Sequence, residues 1–231
     1  MLVKNIPFDK KAIFINRQNK FLAEVKIDDK KELVHVHDPG RLTELLFFGN
    51  IVLLKKFSSK NRKTNYDIIA AKYLDQFVFI NSKYHNEIGK WILKNIKPFD
   101  NVEKIKSEYK VSKSRFDFLI KTKEKDILVE IKGCTLAKDG IALFPDAPTK
   151  RGARHLEELL KLSKENFHAC VIFLIFRKDA YYFKPNEKTD KYFSKVFYKV
   201  LKSNVGIKCY KFTYNGKGIY YEKEIPIYGI Q

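Results

Sequence analysis

The run Arg115-Phe116-Asp117-Phe118-Leu119-Ile120 and, after the polar segment 121–126, the run Ile127-Leu128-Val129-Glu130-Ile131-Lys132 decide how this chain is read. Both are short, apolar and rich in β-branched and aromatic residues, which predicts two strands joined by a turn. Side chains alternate along a strand, so Arg115 and Asp117 share one face, as do Glu130 and Lys132, while Phe116, Phe118, Val129 and Ile131 point the other way. If the hairpin pairs in register, Asp117, Glu130 and Lys132 converge at one spot.

Two carboxylates on neighbouring strands form a hard oxygen site suited to Mg²⁺ or Mn²⁺, ions that retain waters and share coordination with substrate phosphates. A lysine two positions from a metal-binding glutamate can orient or deprotonate an attacking water and neutralise charge on a phosphate. Asp117, Glu130 and Lys132 are therefore the candidate catalytic residues. Their spacing alone fits equally well a set of ionic residues on a solvated sheet face.

Working outward, residues 87–96 carry Ile88, Trp91, Ile92 and Ile96 at helical spacing. Downstream of the hairpin come a proline-containing loop, a helix over 151–163, a buried-type strand over 170–176, a helix over 192–202, and strands near 205–212 and 218–221. Strands alternating with helices predict a mixed sheet covered by helices. Before residue 82 the grammar differs: short strands over 12–15, 21–27, 33–37, 51–55, 66–73 and 77–80 are broken by turn residues. The one helical feature is a turn within 41–48, where Leu42, Leu45 and Leu46 can share a buried face. A small closed barrel of the OB type is the economical solution for such strands, and these barrels commonly bind oligonucleotides or oligosaccharides. The expected division is 1–82 for an OB-fold-like domain and 83–231 for an α/β (mixed) domain.

Hydrophobic residues make up 45% and aromatics 14% of the 231 residues, enough for packed cores, which excludes a disordered or collagen-like chain. The 46 Lys plus Arg against 27 Asp plus Glu leave a net charge of +19, so an acidic partner is expected, nucleic acid ahead of an anionic surface or metabolite. The start lacks the pattern of a signal peptide, and the longest apolar run, 169–176, is far too short to cross a bilayer. No membrane role and a cytoplasmic location are the expectation. Cys134, Cys170 and Cys209 are too widely spaced for a zinc site or a disulfide framework.

Ordered blocks along the chain closely resemble the sugar fermentation stimulation protein (SfsA) family. They are Phe21-Leu22-Ala23-Glu24-Val25, His37-Asp38-Pro39-Gly40-Arg41-Leu42 with Glu44-Leu45-Leu46, Arg62-Lys63-Thr64-Asn65-Tyr66-Asp67, Ser114-Arg115-Phe116-Asp117-Phe118, Val129-Glu130-Ile131-Lys132-Gly133-Cys134-Thr135-Leu136, the Phe144-Pro145-Asp146-Ala147-Pro148-Thr149-Lys150-Arg151-Gly152 loop and His155-Leu156-Glu157-Glu158-Leu159. The resemblance implies an N-terminal OB-fold-like β-barrel followed by a PD-(D/E)xK restriction-endonuclease-like α/β domain, in a DNA-binding family linked to sugar-utilisation genes. It assigns Asp117 and Glu130 to the nuclease acids and Lys132 to the lysine, with Glu108 as a further acid near the metal. Gly133-Cys134 and Asp38-Pro39 depart from the family's usual residues without touching the proposed carboxylates.

The expected function is thus largely sequence-nonspecific binding of DNA, double-stranded in the first instance, with a phosphodiester-hydrolysing centre that uses Mg²⁺ or Mn²⁺. A non-enzymatic DNA-binding regulator of sugar-utilisation genes with a vestigial site is the competing reading, and an oligosaccharide-binding barrel a third. Five of the seven arginines, Arg41, Arg62, Arg115, Arg151 and Arg154, fall inside the blocks, where the planar guanidinium suits phosphate. With His155 they form the expected nucleic-acid contacts, against internal salt bridges for Arg41 and Arg62 and an orienting role for His155. Asp146 or Thr149 is expected to cap the helix that follows, and His35 and His37 to be structural. Aromatics interleave with lysines at 176–184 and 192–202, the pattern of a stacking platform, although Phe193, Val196, Phe197, Val200 and Leu201 fit a buried helical face.

Overall fold

The computed structural model describes residues 1–57, 63–111 and 114–230. Its elements are β1 (Leu2–Asn5), β2 (Lys10–Asn19), β3 (Leu22–Ile27), β4 (Lys30–His35), β5 (Ile51–Lys56), β6 (Tyr66–Tyr73), β7 (Gln76–Phe79), α1 (His85–Asn95), β8 (Val102–Val111), β9 (Ser114–Thr122), β10 (Ile127–Cys134), β11 (Ala137–Lys138), β12 (Ile141–Phe144), α2 (Lys150–Ser163), β13 (His168–Ile175), β14 (Tyr182–Pro185), α3 (Lys191–Leu201), β15 (Val205–Tyr214) and β16 (Gly218–Glu224).

β2 to β6 form the expected barrel. Antiparallel ladders run in the order β4-β3-β2-β5-β6, and a parallel pairing of Val34 with Tyr66 and His35 with Asp67 closes it. Alternation explains the closure: Ala12, Phe14, Ala23, Val25, Val34 and Val52 point inward and are buried, while lysines occupy many outward positions. Residues 41–48 make a hydrogen-bonded turn in which the Leu45 and Leu46 N–H groups donate to the Leu42 carbonyl, and all three leucines are buried.

The sheet continues past the barrel through a single pairing of Phe77 with Tyr214, into the order β7-β15-β13-β10-β9-β8. β1 lies against β16, so the first strand belongs to the sheet of the second half. β10, β13 and β15 are parallel, and β13 is buried almost throughout, as a central parallel strand covered on both faces should be. One core fills the barrel and continues under α1; a second lies between the sheet, α2 and α3. Phe193, Val196, Phe197 and Val200 point into that second core, so this helix is a packing element and not a stacking platform. Among the described residues no helix is long and apolar enough to cross a membrane.

The structure departs from the expectations at several points, and β1, β11, β12 and β14 are strands where none was expected. β8 is a ten-residue edge strand that the sequence pattern does not reveal, because both its faces are largely exposed. Phe116 does not share a face with Phe118: it enters the core beneath α2 and packs edge-on to the His155 ring, while Phe118 lies in the other core. Strict alternation fails at Asp117, for a reason that lies in the site itself.

Candidate active site

β9 and β10 pair from Ile120 with Ile127 to Phe118 with Val129 and then part. Where the ladder would continue, the Asp117 side chain takes over: its Oδ2 accepts the Ile131 N–H at 2.7 Å. A carboxylate has replaced a backbone acceptor, so Asp117 is fixed in place and the strands splay. The register still puts Asp117 beside Glu130, and the convergence expected from the sequence occurs.

Glu130 is 4% exposed. Its Oε1 receives both the Lys132 ammonium and His155 Nδ1, each at 2.5 Å. His155 Nε2 lies 3.5 Å from Arg151 Nε, so the proton on His155 belongs on Nδ1, facing Glu130. Glu130 Oε2 is buried and has no hydrogen-bond partner. Burial alone would raise the Glu130 pKa, but Lys132 and His155 outweigh it and hold the carboxyl below its ordinary value. Asp117 goes the other way: burial, then the adjacent Glu130 charge, push it up to about 7. Two acids of opposite tendency thus lie side by side, one of them with a buried oxygen that has no hydrogen-bond partner. Among the described residues no three His, Cys, Asp or Glu side chains cluster as a complete metal cage. Two carboxylates with positions left for water and substrate oxygens suit Mg²⁺ or Mn²⁺.

Glu108 faces Asp117 from β8, with φ near 57°. Its oxygens are engaged by Arg115 Nε at 3.0 Å and Asn86 Nδ2 at 2.8 Å, which suits it to shaping the site from outside. Arg115, Arg151 and Arg154 are exposed, the last two on the first turns of α2, whose positive end favours anions; Arg115 reaches Glu108 and Arg151 reaches His155. Thr149 caps α2 by accepting the Gly152 N–H, so the capping role falls to it and not to Asp146. Arg41 is exposed at the barrel end. Arg62 lies outside the described residues.

Asp146 instead crosses to the barrel, where its Oδ2 accepts the Leu42 N–H at 3.2 Å. The approach requires Gly40, since a Cβ there would sit 2.3 Å from Asp146 Oδ2. The resulting cleft, about 230 Å³, is walled by residues 38–40 and Ser82 on the barrel side and by 131–135 and 143–149 on the other. Two arginines outside the sequence blocks hold its walls. Arg17 donates to the carbonyls of Asp38 at 2.6 Å and Arg41 at 3.2 Å, and to those of Gly40 and Lys20. Arg177 is fully buried, pairs with Asp179, donates to the Thr135 carbonyl and lies 3.9 Å from the Tyr73 ring centre. Little in their local sequence marks them, because apart from Lys20 and Asp179 the groups they hold are tens of residues away.

Burial, then Asp146, raise the Asp38 carboxyl to about 7, with Glu44 adding to the effect and Arg17 opposing it. The folded protein therefore keeps on Asp38 a proton that the unfolded chain loses near its ordinary pKa of 3.8. This contribution to stability is complete below that value and is lost as pH rises through about 7. Asp38→Asn, which still offers an oxygen to the Gly40 N–H, is expected to melt several degrees above the parent at pH 8. The gap should shrink to nothing by pH 4 in thermal unfolding followed by circular dichroism.

A closed OB barrel whose sheet runs on into an α/β domain with two acids and a lysine on adjoining strands defines an OB protein fused to a restriction-endonuclease-type domain. The chain belongs to the sugar fermentation stimulation protein family: residues 83–218 match its RE domain and residues 15–80 the SfsA N-terminal OB domain. The sugar fermentation stimulation protein homolog of Methanococcoides burtonii is 41% identical, with 98% of this chain and 95% of that protein covered. That of Thermosipho melanesiensis is 44% identical over 94% and 93%. The structure of Pyrococcus furiosus SfsA in complex with Ca²⁺ superposes with a TM-score of 0.90 at 26% identity, covering 98% of this chain and 99% of that one.

Proposed function

We propose that this protein binds DNA with little regard to sequence and hydrolyses phosphodiester bonds at the Asp117–Glu130–Lys132 centre with Mg²⁺ or Mn²⁺. The observation that carries the reading is Glu130: one oxygen is saturated by Lys132 and His155, and the other is buried without a partner beside Asp117. Glu44 Oε1 and Glu158 Oε2 are also buried without hydrogen-bond partners, so what singles out Glu130 is the neighbouring Asp117 carboxylate together with Lys132. The Pyrococcus furiosus relative, solved with Ca²⁺, supports an oxygen-seeking divalent ion.

Asp117 and Glu130 Oε2 would hold the ion, which when bound would supply positive charge at the scissile phosphate. Lys132 is anchored by Glu130 Oε1 and positions a nucleophilic water or neutralises the phosphate. His155 locks the Glu130 rotamer from α2 and acts as a positioning residue. Arg115, Arg151 and Arg154 would take flanking phosphates.

Incubating metal-free protein with DNA and adding Mg²⁺ or Mn²⁺ should start cleavage that EDTA stops. Binding without cleavage under every divalent ion tried would leave the non-enzymatic regulator. Binding in EDTA should weaken log-linearly with salt, with a slope of about 0.7 to 0.9 per phosphate contacted. An affinity unchanged between low and physiological salt in fluorescence anisotropy would defeat the electrostatic basis of the proposal.

A further inference from the structure

The barrel carries a row of rings that leads into the cleft. Phe21 is 49% exposed. Its ring lies nearly parallel to that of His35, centroids 6.3 Å apart and planes 13° from parallel. His35 in turn meets His37 edge-on at 4.4 Å. The row then reaches the cleft wall, since the His37 carbonyl accepts a hydrogen bond from Ser82 Oγ at 2.8 Å and Asp38 follows directly. Lys132 lies on the opposite wall.

We propose that one unpaired strand of DNA runs over Phe21, His35 and His37 and through the interdomain cleft to Lys132, so that the substrate is single-stranded or locally melted DNA. The proposal rests on the nuclease reading and names its substrate class. An exposed ring such as Phe21, backed by the partly buried His35 and His37, stacks on any base and confers little sequence preference, but the bases of an intact duplex stack on one another and cannot reach it. The cleft is lined by Lys132 and so opens directly beside the reactive centre. Charge favours a polyanion over an uncharged sugar: Lys20 lies in the turn before Phe21, Arg41 is exposed just beyond Gly40, and the whole chain carries +19. The acids along the path are engaged. Asp67 pairs with His37 at 2.8 Å and Glu24 with Asn16 and Lys31. The raised pKa of Asp38 also lessens its repulsion of phosphate near neutrality.

The test is fluorescence anisotropy in EDTA with a labelled oligothymidylate, the same length of mixed-sequence duplex, and a neutral maltooligosaccharide as competitor. The single strand should bind at least about tenfold more tightly than the duplex. Phe21→Ala, an exposed substitution, should weaken single-strand binding about fivefold or more while changing duplex binding less than twofold. His35→Ala should do the same, with folding of both variants checked by thermal melting. Equal affinity for single strand and duplex, a folded Phe21→Ala variant without effect, or displacement by the sugar would each overturn the proposal. Because these readouts need no metal, they are independent of catalysis. Single-strand preference without cleavage would sink the nuclease reading alone, and duplex cleavage that ignores Phe21 would sink the strand track alone.

Discussion

Glu130→Gln and Asp117→Asn are each expected to reduce metal-dependent cleavage by about a thousandfold or more while leaving the fold in place. Glutamine can still offer an oxygen to Lys132 and His155, and asparagine can still accept the Ile131 N–H, so the local bonds survive. What vanishes is the negative charge that would face the ion. Lys132→Ala should lose cleavage as severely but keep ion binding, since it removes no carboxylate. Melting separates these effects: a divalent ion at about 100 times its dissociation constant stabilises the folded state by roughly 2.7 kcal/mol. That shift should appear in the parent and in Lys132→Ala and be absent from a protein carrying both carboxylate changes. DNA binding in EDTA should persist in all of them and tighten in the double variant, where two charges facing the phosphates are gone. If carboxylate variants simply unfold, or cut as well as the parent, the centre is not catalytic.

The largest stability effect is expected at Arg177. Its guanidinium is fully enclosed, doubly bonded to Asp179, donates to the Thr135 carbonyl and lies on the face of Tyr73 from the barrel. Asp179 also accepts from Gln76 of β7. One side chain thus ties β6, β7 and the segment that follows β10. Arg177→Ala removes the charge-assisted bonds and the ring contact together and should cost about 3 kcal/mol. For a chain of this size that is a fall in Tm of roughly 6–12 °C. Asp179 is half exposed and can be rehydrated, so Asp179→Asn should cost less than half as much, measured in parallel melts.

The contrast between Arg177 and Glu130 shows what a sequence discloses. Asp117, Glu130 and Lys132 are legible because strand alternation is a local rule, obeyed on β10 and on most of β9. The barrel is legible for the same reason, its strands being short, alternating and punctuated by turn residues. β8 is not, because an edge strand exposed on both faces has no alternation to read. The face of Phe116 is misread because the Asp117 carboxylate substitutes for a ladder acceptor, an event that only the folded pairing creates. Arg17 and Arg177 escape notice, although few arginines compete for attention, because apart from the nearby Lys20 and Asp179 their partners are carbonyls and a ring brought in by tertiary packing. The cleft is invisible for a similar reason: Asp146 and Leu42 are 104 residues apart.

The pairing of Leu2–Asn5 with Gly218–Glu224 sets an order on biosynthesis. A strand near the start emerges from the ribosome about 213 residues ahead of its partner, from Asn5 to Gly218. At the usual 5–20 residues per second this is a wait of roughly 10–40 s. The barrel can form in that interval, but β1 must remain an unpaired edge, a template for aggregation that its four-residue length and Lys4 keep weak. Docking of β1 must therefore wait for β16, and a nascent chain interrupted before Gly218 would leave β1 without its partner strand and open to proteases of cellular quality control.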